Sequence, residues 1–204
     1  MIISYLDKIF FVVNFLIVFC QHNTYKYLKK NRVPLHWSYH GVGVVLIHTI
    51  CLWIGNTLAL FFRSNFQMTI ARYSYAIAYL ASIPLARKVG GKRIIVSSGY
   101  MSISLIALVM VLLKSDPIVL FRLTQSHIGT RVSIEIFKHI SNKYELFDES
   151  NAWNYAQLFG GFFGCYYATN GITLPLVWFV TFNLMTIYLP KSFLINSEQK
   201  YPYD

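Results

Sequence analysis

The chain has 204 residues, 55% of them hydrophobic and 13% charged, with a formal net charge of +10 and a mean hydropathy of +0.46. Soluble domains run at about 45–50% apolar and about 25% charged, so this composition lacks the polar groups to coat a water-facing surface; an all-α, polytopic integral membrane protein is expected. The cations fall in short clusters between apolar runs, which suits topology signals and anionic lipid head groups and argues against a nucleic-acid partner.

In chain order, residues 9–20 form a first apolar run, read as a short N-terminal apolar helix that is interfacial or tucked against the bundle, or as a signal-anchor or uncleaved first span. The basic stretch that follows closes at Pro34. Six longer runs come next: 39–61; 68–86; 94–113; Pro117 to Phe137; 152–169, rich in glycine and aromatics; and 172–190. A spanning helix needs about 20 residues, so about six transmembrane helices are expected. In hydrocarbon only helices or closed barrels satisfy the backbone, and the runs lack the period-2 alternation of barrel strands. The domain reading is 1–38 as an apolar helix and basic cytosolic segment, 39–190 as a six-helix transmembrane domain, and 191–204 as a polar tail.

Lys and Arg set the expected sidedness. With the segment before residue 39 in the cytosol, that side holds Lys8, Lys26, Lys29, Lys30, Arg32, Arg87, Lys88, Lys92, Arg93, Lys138, Lys143, Lys191 and Lys200, against Arg63 and Lys114 opposite. Such asymmetry is what the positive-inside rule requires, and it puts both termini inside; if residues 9–20 span, Met1 moves outside. Cys20, Cys51 and Cys165 lie in apolar runs with no C-x-x-C pair and read as small hydrophobes.

The linker Ile83-Pro84-Leu85-Ala86-Arg87-Lys88-Val89-Gly90-Gly91-Lys92-Arg93 is a tight, cationic turn between the second and third runs. It resembles the G-x-L-A-D-R-x-G-x-K-R loop of the major facilitator superfamily of transporters. Leu85, Ala86, Gly90, Lys92 and Arg93 match, with Lys88 for arginine; Ile83 and Arg87 stand where that family has glycine and an acid. Arg122-Leu123-Thr124-Gln125-Ser126-His127-Ile128-Gly129 is similar to the R-x-x-Q-G-x-G pattern of the same family's fourth helix. The resemblance implies one six-helix half of a two-half fold, completed by a homo-oligomer or by other membrane subunits. It also implies that Arg87, Lys88, Gly90, Lys92 and Arg93 form a cytosolic gate or lipid contact.

The fourth run is informative without any family. Arg122, Gln125, Ser126, Gly129 and Ser133 share one helical face, and an arginine within a span is a functional-site hypothesis by default, or else snorkels to the head groups. Arg122, Gln125, Ser126 and His127 are the substrate-path candidates. Arg131 and Glu135 are spaced to pair. Gly160, Gly164 and Ala168 make a small-x-x-x-small ladder for close helix packing.

His36 and His40, at i and i+4 with His48 a further eight on, have a spacing that can hold a metal or haem from one helical face, but they sit among Trp37 and Tyr39 and read as interfacial anchors; His48 and His127 lie deeper in separate spans, where a bis-histidine b-type haem between them is an alternative. His127-x-Gly129 and Phe137-x-His139 also resemble part of the haem- and quinone-binding anchors of succinate dehydrogenase. No nucleophile, metal or phosphate-binding signature is present, so no enzyme activity, catalytic residue, metal site or resident cofactor is expected.

The first functional expectation is a transporter-like protein that moves or binds a small solute, in the plasma membrane or the mitochondrial inner membrane. The second is a non-catalytic membrane subunit of a large bioenergetic complex, respiratory or ATP synthase. A haem- or quinone-binding membrane anchor is the third.

Overall fold

The computed structural model describes residues 3–14, 42–62, 64–90, 94–144 and 149–189. Among these residues the chain is all-helical. Helix α1 covers residues 5–14. It is followed by α2 (Val42–Phe61), α3 (Asn65–Gly90), α4 (Ile94–Leu112), α5 (Pro117–Thr124), α6 (Ser126–Tyr144), α7 (Glu149–Thr169) and α8 (Thr173–Tyr188). The apolar runs thus become helices nearly at their expected limits, with two differences. The second run continues through Pro84 to Gly90. The fourth divides at Gln125, whose N–H bonds to the carbonyl of Arg122 three residues back, tightening one turn between α5 and α6. Of the N-terminal run expected over 9–20, residues 15–20 lie outside the described residues; the described helix is tucked into the bundle, with Phe10 edge-on to Tyr167 at 5.2 Å and Phe11 edge-on to Phe61 at 5.1 Å.

Local chemistry explains the starts and stops. Ser4 and Asp7 form a reciprocal capping box at the start of α1: the Ser4 backbone N–H reaches Asp7 Oδ2 at 2.7 Å and the Asp7 N–H reaches Ser4 Oγ at 3.2 Å. Ser64 and Gln67 repeat it ahead of α3. Asp116 caps α5 by accepting from the Ile118 N–H at 3.0 Å, with Pro117 next, where a missing N–H costs nothing. Helix α4 ends in a Schellman turn: Lys114 takes φ 54°, Ser115 N–H bonds to Met110 O, and Lys114 N–H to Val111 O. Asn170, at φ 52°, closes α7 with a single bond to Tyr166 O.

The pairings His48–Ala78 and Asn56–Tyr75, Ser82–Ser104 and Ala86–Ser97, and Ser126–Gly164 and Thr130–Gly160 set α2 on α3, α3 on α4 and α6 on α7 antiparallel, while α8 closes on α4 and α7. The core gathers Tyr75, Tyr79, Ile103, Ile106, Ile118, Phe121, Leu123, Cys165 and Trp178. The α2–α3, α4–α5 and α7–α8 connections share one end of the bundle, where Arg72 Nε donates to Ser115 O at 3.0 Å. The distribution of polarity is unusual. Ser97, Ser98, Ser102, Ser104, Gln125 and Gln157 are buried, whereas Trp53, Phe66, Tyr73, Leu80, Leu112, Phe159, Val180 and Ile187 are exposed. Among the described residues, no helix is both long and apolar enough to cross a membrane.

Candidate functional site: the Arg122 node

Arg122 sits in the last turn of α5, a helix whose every residue is buried. It does not extend outward to the surface. Its guanidinium closes as a fork on Asp7, with Nε donating to Oδ1 at 2.9 Å and Nη2 to Oδ2 at 2.7 Å. Side-chain exposure is 6% for Arg122 and 0% for Asp7, so the pair is removed from solvent. Two charges in such a place are tolerated only when their remaining hydrogen-bonding capacity is met. Tyr167 OH, on α7, donates to Asp7 Oδ1 at 2.8 Å, and Ser4 Oγ donates to Oδ2 at 2.8 Å. The Tyr167 ring also lies 5.5 Å from the guanidinium carbon, within range of a cation–π attraction. The carboxylate therefore receives donors from α1, α5 and α7.

One turn deeper, Asn14 Nδ2 donates to Gln125 Oε1 at 2.9 Å. Gln125 Nε2 in turn donates to Phe121 O at 2.7 Å and Thr124 Oγ1 at 2.9 Å. Helix α1 thus covers Arg122 and Gln125 together, with Asp7 and Asn14 two helical turns apart on one of its faces.

The other two path candidates face elsewhere. Ser126 lies against Gly164, where an added Cβ would come within 2.5 Å of the Ser126 Cβ. Gly160 lies against Thr130 in the same way, and Ala168 is fully buried. The ladder is therefore the surface on which α7 meets α6. His127 stacks on Tyr100 at 5.4 Å and meets His48 edge-on at 6.2 Å. His48 Nδ1 is 2.7 Å from Ala78 O. Ser126 and His127 line a cavity of about 10 Å³ with Thr130, Gln157 and Trp178, room for about one water. Among the described residues, buried polar atoms without a hydrogen-bond partner include Tyr79 OH, Ser98 Oγ, Ser102 Oγ, His127 Nε2 and Trp178 Nε1. Among the described residues no group of three or more His, Cys, Asp or Glu is placed to hold a metal ion.

Arg87, Lys88 and Gly90 fall at the end of α3, but their side chains, like Lys92 and Arg93 entirely, lie outside the described residues, as do His36, His40, Cys20 and the Arg131–Glu135 side chains. Cys51 and Cys165 are free thiols.

Asp7 and Tyr167 are the members of the node that the sequence reading did not single out. The sequence signal for Asp7 is the Ser4-x-x-Asp7 capping box. No family model matches the chain, and neither the curated proteins nor the solved structures contain a match to it.

Proposed function

We propose that the chain is a multi-pass membrane protein, transporter-like in build and similar to one facilitator half, that binds or moves a small solute at the Arg122 node. The observation that carries the reading is the inverted polarity of the bundle: apolar side chains outside, serines, glutamines and an ion pair inside. In water such an exposed surface would be an aggregation liability; in lipid it is the favourable one. Helices α2 and α4 contain no Asp, Glu, Lys or Arg over 20 and 19 residues. At 1.5 Å per residue they extend about 30 Å, the thickness of a bilayer core. Hydropathy averaged along a helix weighs inward serines as heavily as outward leucines, and so understates what the outer face presents.

A buried arginine is costly in this setting and is kept where it contacts a partner or a ligand. In proteoliposome uptake with candidate solutes, the charge-free pair Asp7→Leu/Arg122→Met, which avoids leaving an unpaired buried charge, abolishes saturable uptake while Arg72→Ala, at the bundle end, retains most of it; equal uptake by both variants refutes the reading.

A second reading, a non-catalytic subunit of a larger membrane complex, is favoured by the apolar groove on α6 and α7. About 490 Å³ in volume, it is lined by Phe10, Val132, Phe159, Phe162, Phe163 and Tyr166, a surface suited to a neighbouring helix. Native-gel migration after mild detergent extraction, with mass spectrometry of co-migrating chains, separates the two. A small homo-oligomer supports the transporter-like reading, and a fixed place in a large respiratory or synthase assembly supports the subunit.

A further inference from the structure

We propose that the Arg122 node is a binding site for small carboxylates carrying an apolar body, and that Asp7 of α1 is its tethered occupant. The proposal rests on the solute-binding reading above and names the class of solute. Three donors at the node belong to the bundle itself: Arg122 Nε and Nη2 from α5, and Tyr167 OH from α7. They converge on one carboxylate, two in a parallel fork and the third on the same oxygen as Nε. A planar guanidinium fork matches a carboxylate in both spacing and direction. From its own segment Asp7 accepts the N–H and Oγ of Ser4, which would cap α1 whether or not Arg122 were present.

The rest of the α1 contact extends the chemistry. Phe10, one turn after Asp7, sets its ring edge-on to Tyr167 at 5.2 Å and to Phe163 at 6.1 Å. The bundle therefore receives from α1 a carboxylate with an aromatic group about one helical turn away. A free ligand with the same two features, such as phenylacetate, offers a carboxylate to the fork and an apolar ring to the aromatic surface beside it, and acetate offers the carboxylate alone. On this account α1 competes with the solute for the site, so the contact is autoinhibitory as well as stabilising. Bound ligand would have to displace Asp7 from a buried, fully hydrogen-bonded position, which makes the intact protein a weak binder. Removing the Asp7 carboxylate exposes the site.

The test is chemical rescue, using the full chain purified in detergent as Asp7→Ala, Asp7→Asn and Asp7→Ala/Arg122→Gln. Thermal unfolding and ligand titration are followed with sodium acetate, sodium phenylacetate and, at equal ionic strength, sodium chloride. The expected result is that acetate and phenylacetate raise the midpoint of Asp7→Ala and chloride does not. Phenylacetate should bind Asp7→Ala at least about tenfold more tightly than it binds wild type, a difference of about 1.4 kcal/mol. The double variant should lose the response. If Asp7→Ala folds only when a carboxylate is present, that dependence also supports the site. If it does not fold at all, Asp7→Asn, which keeps the side chain's volume, carries the measurement.

A folded Asp7 variant that responds to acetate and chloride alike overturns the proposal and leaves the node a structural ion pair. Neither outcome depends on transport: a protein that binds carboxylates and moves none retains this inference and loses the transporter reading. One that transports solutes while its Asp7 variants ignore carboxylates does the reverse.

Discussion

Asp7 and Arg122 are 115 residues apart in sequence and joined by two hydrogen bonds of 2.9 and 2.7 Å, with both side chains buried. Removing one partner of such a pair leaves a buried charge without its counter-ion, at a cost of about 3–5 kcal/mol, whereas replacing both with apolar residues of similar volume is often close to neutral. Asp7→Ala and Arg122→Ala are therefore each expected to be severely destabilised in detergent unfolding, and Asp7→Leu/Arg122→Met to recover most of the loss. A double variant as unstable as the worse single one would place the energy in shape and not in charge.

The α6–α7 seam makes a sharper steric prediction. A Cβ on Gly164 would press on Ser126, and one on Gly160 would overlap the Thr130 backbone. Each of Gly164→Ala and Gly160→Ala should lose about 1–3 kcal/mol as overpacked variants. Gly171→Ala, with its nearest atom 4.0 Å away, should change stability by no more than about 0.5 kcal/mol. Urea or thermal unfolding of the three side by side checks the ordering.

Lys114 holds a left-handed backbone, φ 54°, at the end of α4. A side chain there costs of order 1 kcal/mol relative to glycine. Lys114→Gly should accordingly raise stability by about 0.5–1 kcal/mol, and Lys114→Val should lower it. A destabilised glycine variant would mean that the lysine side chain contributes more than its backbone strain removes.

Inside the core, Tyr75 OH donates to Asn56 Oδ1 at 2.9 Å, and both residues are buried. Tyr75→Phe keeps the ring and strands the amide oxygen, for an expected loss of about 1–3 kcal/mol. Adding Asn56→Leu should return part of that loss, because the orphaned acceptor goes with it. Thermal melts of the single and paired variants decide the point.

These predictions draw on features of uneven legibility. The helices could be read from apolar runs because each needs a continuous outward stripe, and 94–113 against Ile94–Leu112 shows how sharply charges and Pro117 mark the limits. Arg122 and Gln125 stood out because polar groups in an apolar run are expensive. Their partners did not. Asp7 lies near the chain's start, Asn14 within an apolar run and Tyr167 in a stretch full of aromatics, and the contact that unites them is a matter of which helix meets which. The division at Gln125 was hidden for a related reason: its backbone stays in the right-handed helical region, φ −69° and ψ −9°, so the tightened turn leaves no glycine or proline to announce it. The stripe from Arg122 to Ser133 looked like one face. The structure distributes it among α1, α7 and the outer groove, because neighbours on three sides share a helix that is buried throughout its first half.

The central claim is that the bundle meets lipid with its exposed apolar faces. It is tested most directly by alkaline extraction of membranes from expressing cells, combined with impermeant maleimide labelling of single cysteines. In a background with Cys20, Cys51 and Cys165 replaced, Ser115→Cys marks the end that carries the α4–α5 turn, and Ser141→Cys marks the far end of α6. The account predicts that the protein stays in the pellet at alkaline pH and that the two cysteines react from opposite sides of sealed vesicles. Release into the supernatant, or labelling of both cysteines from one side, would contradict it.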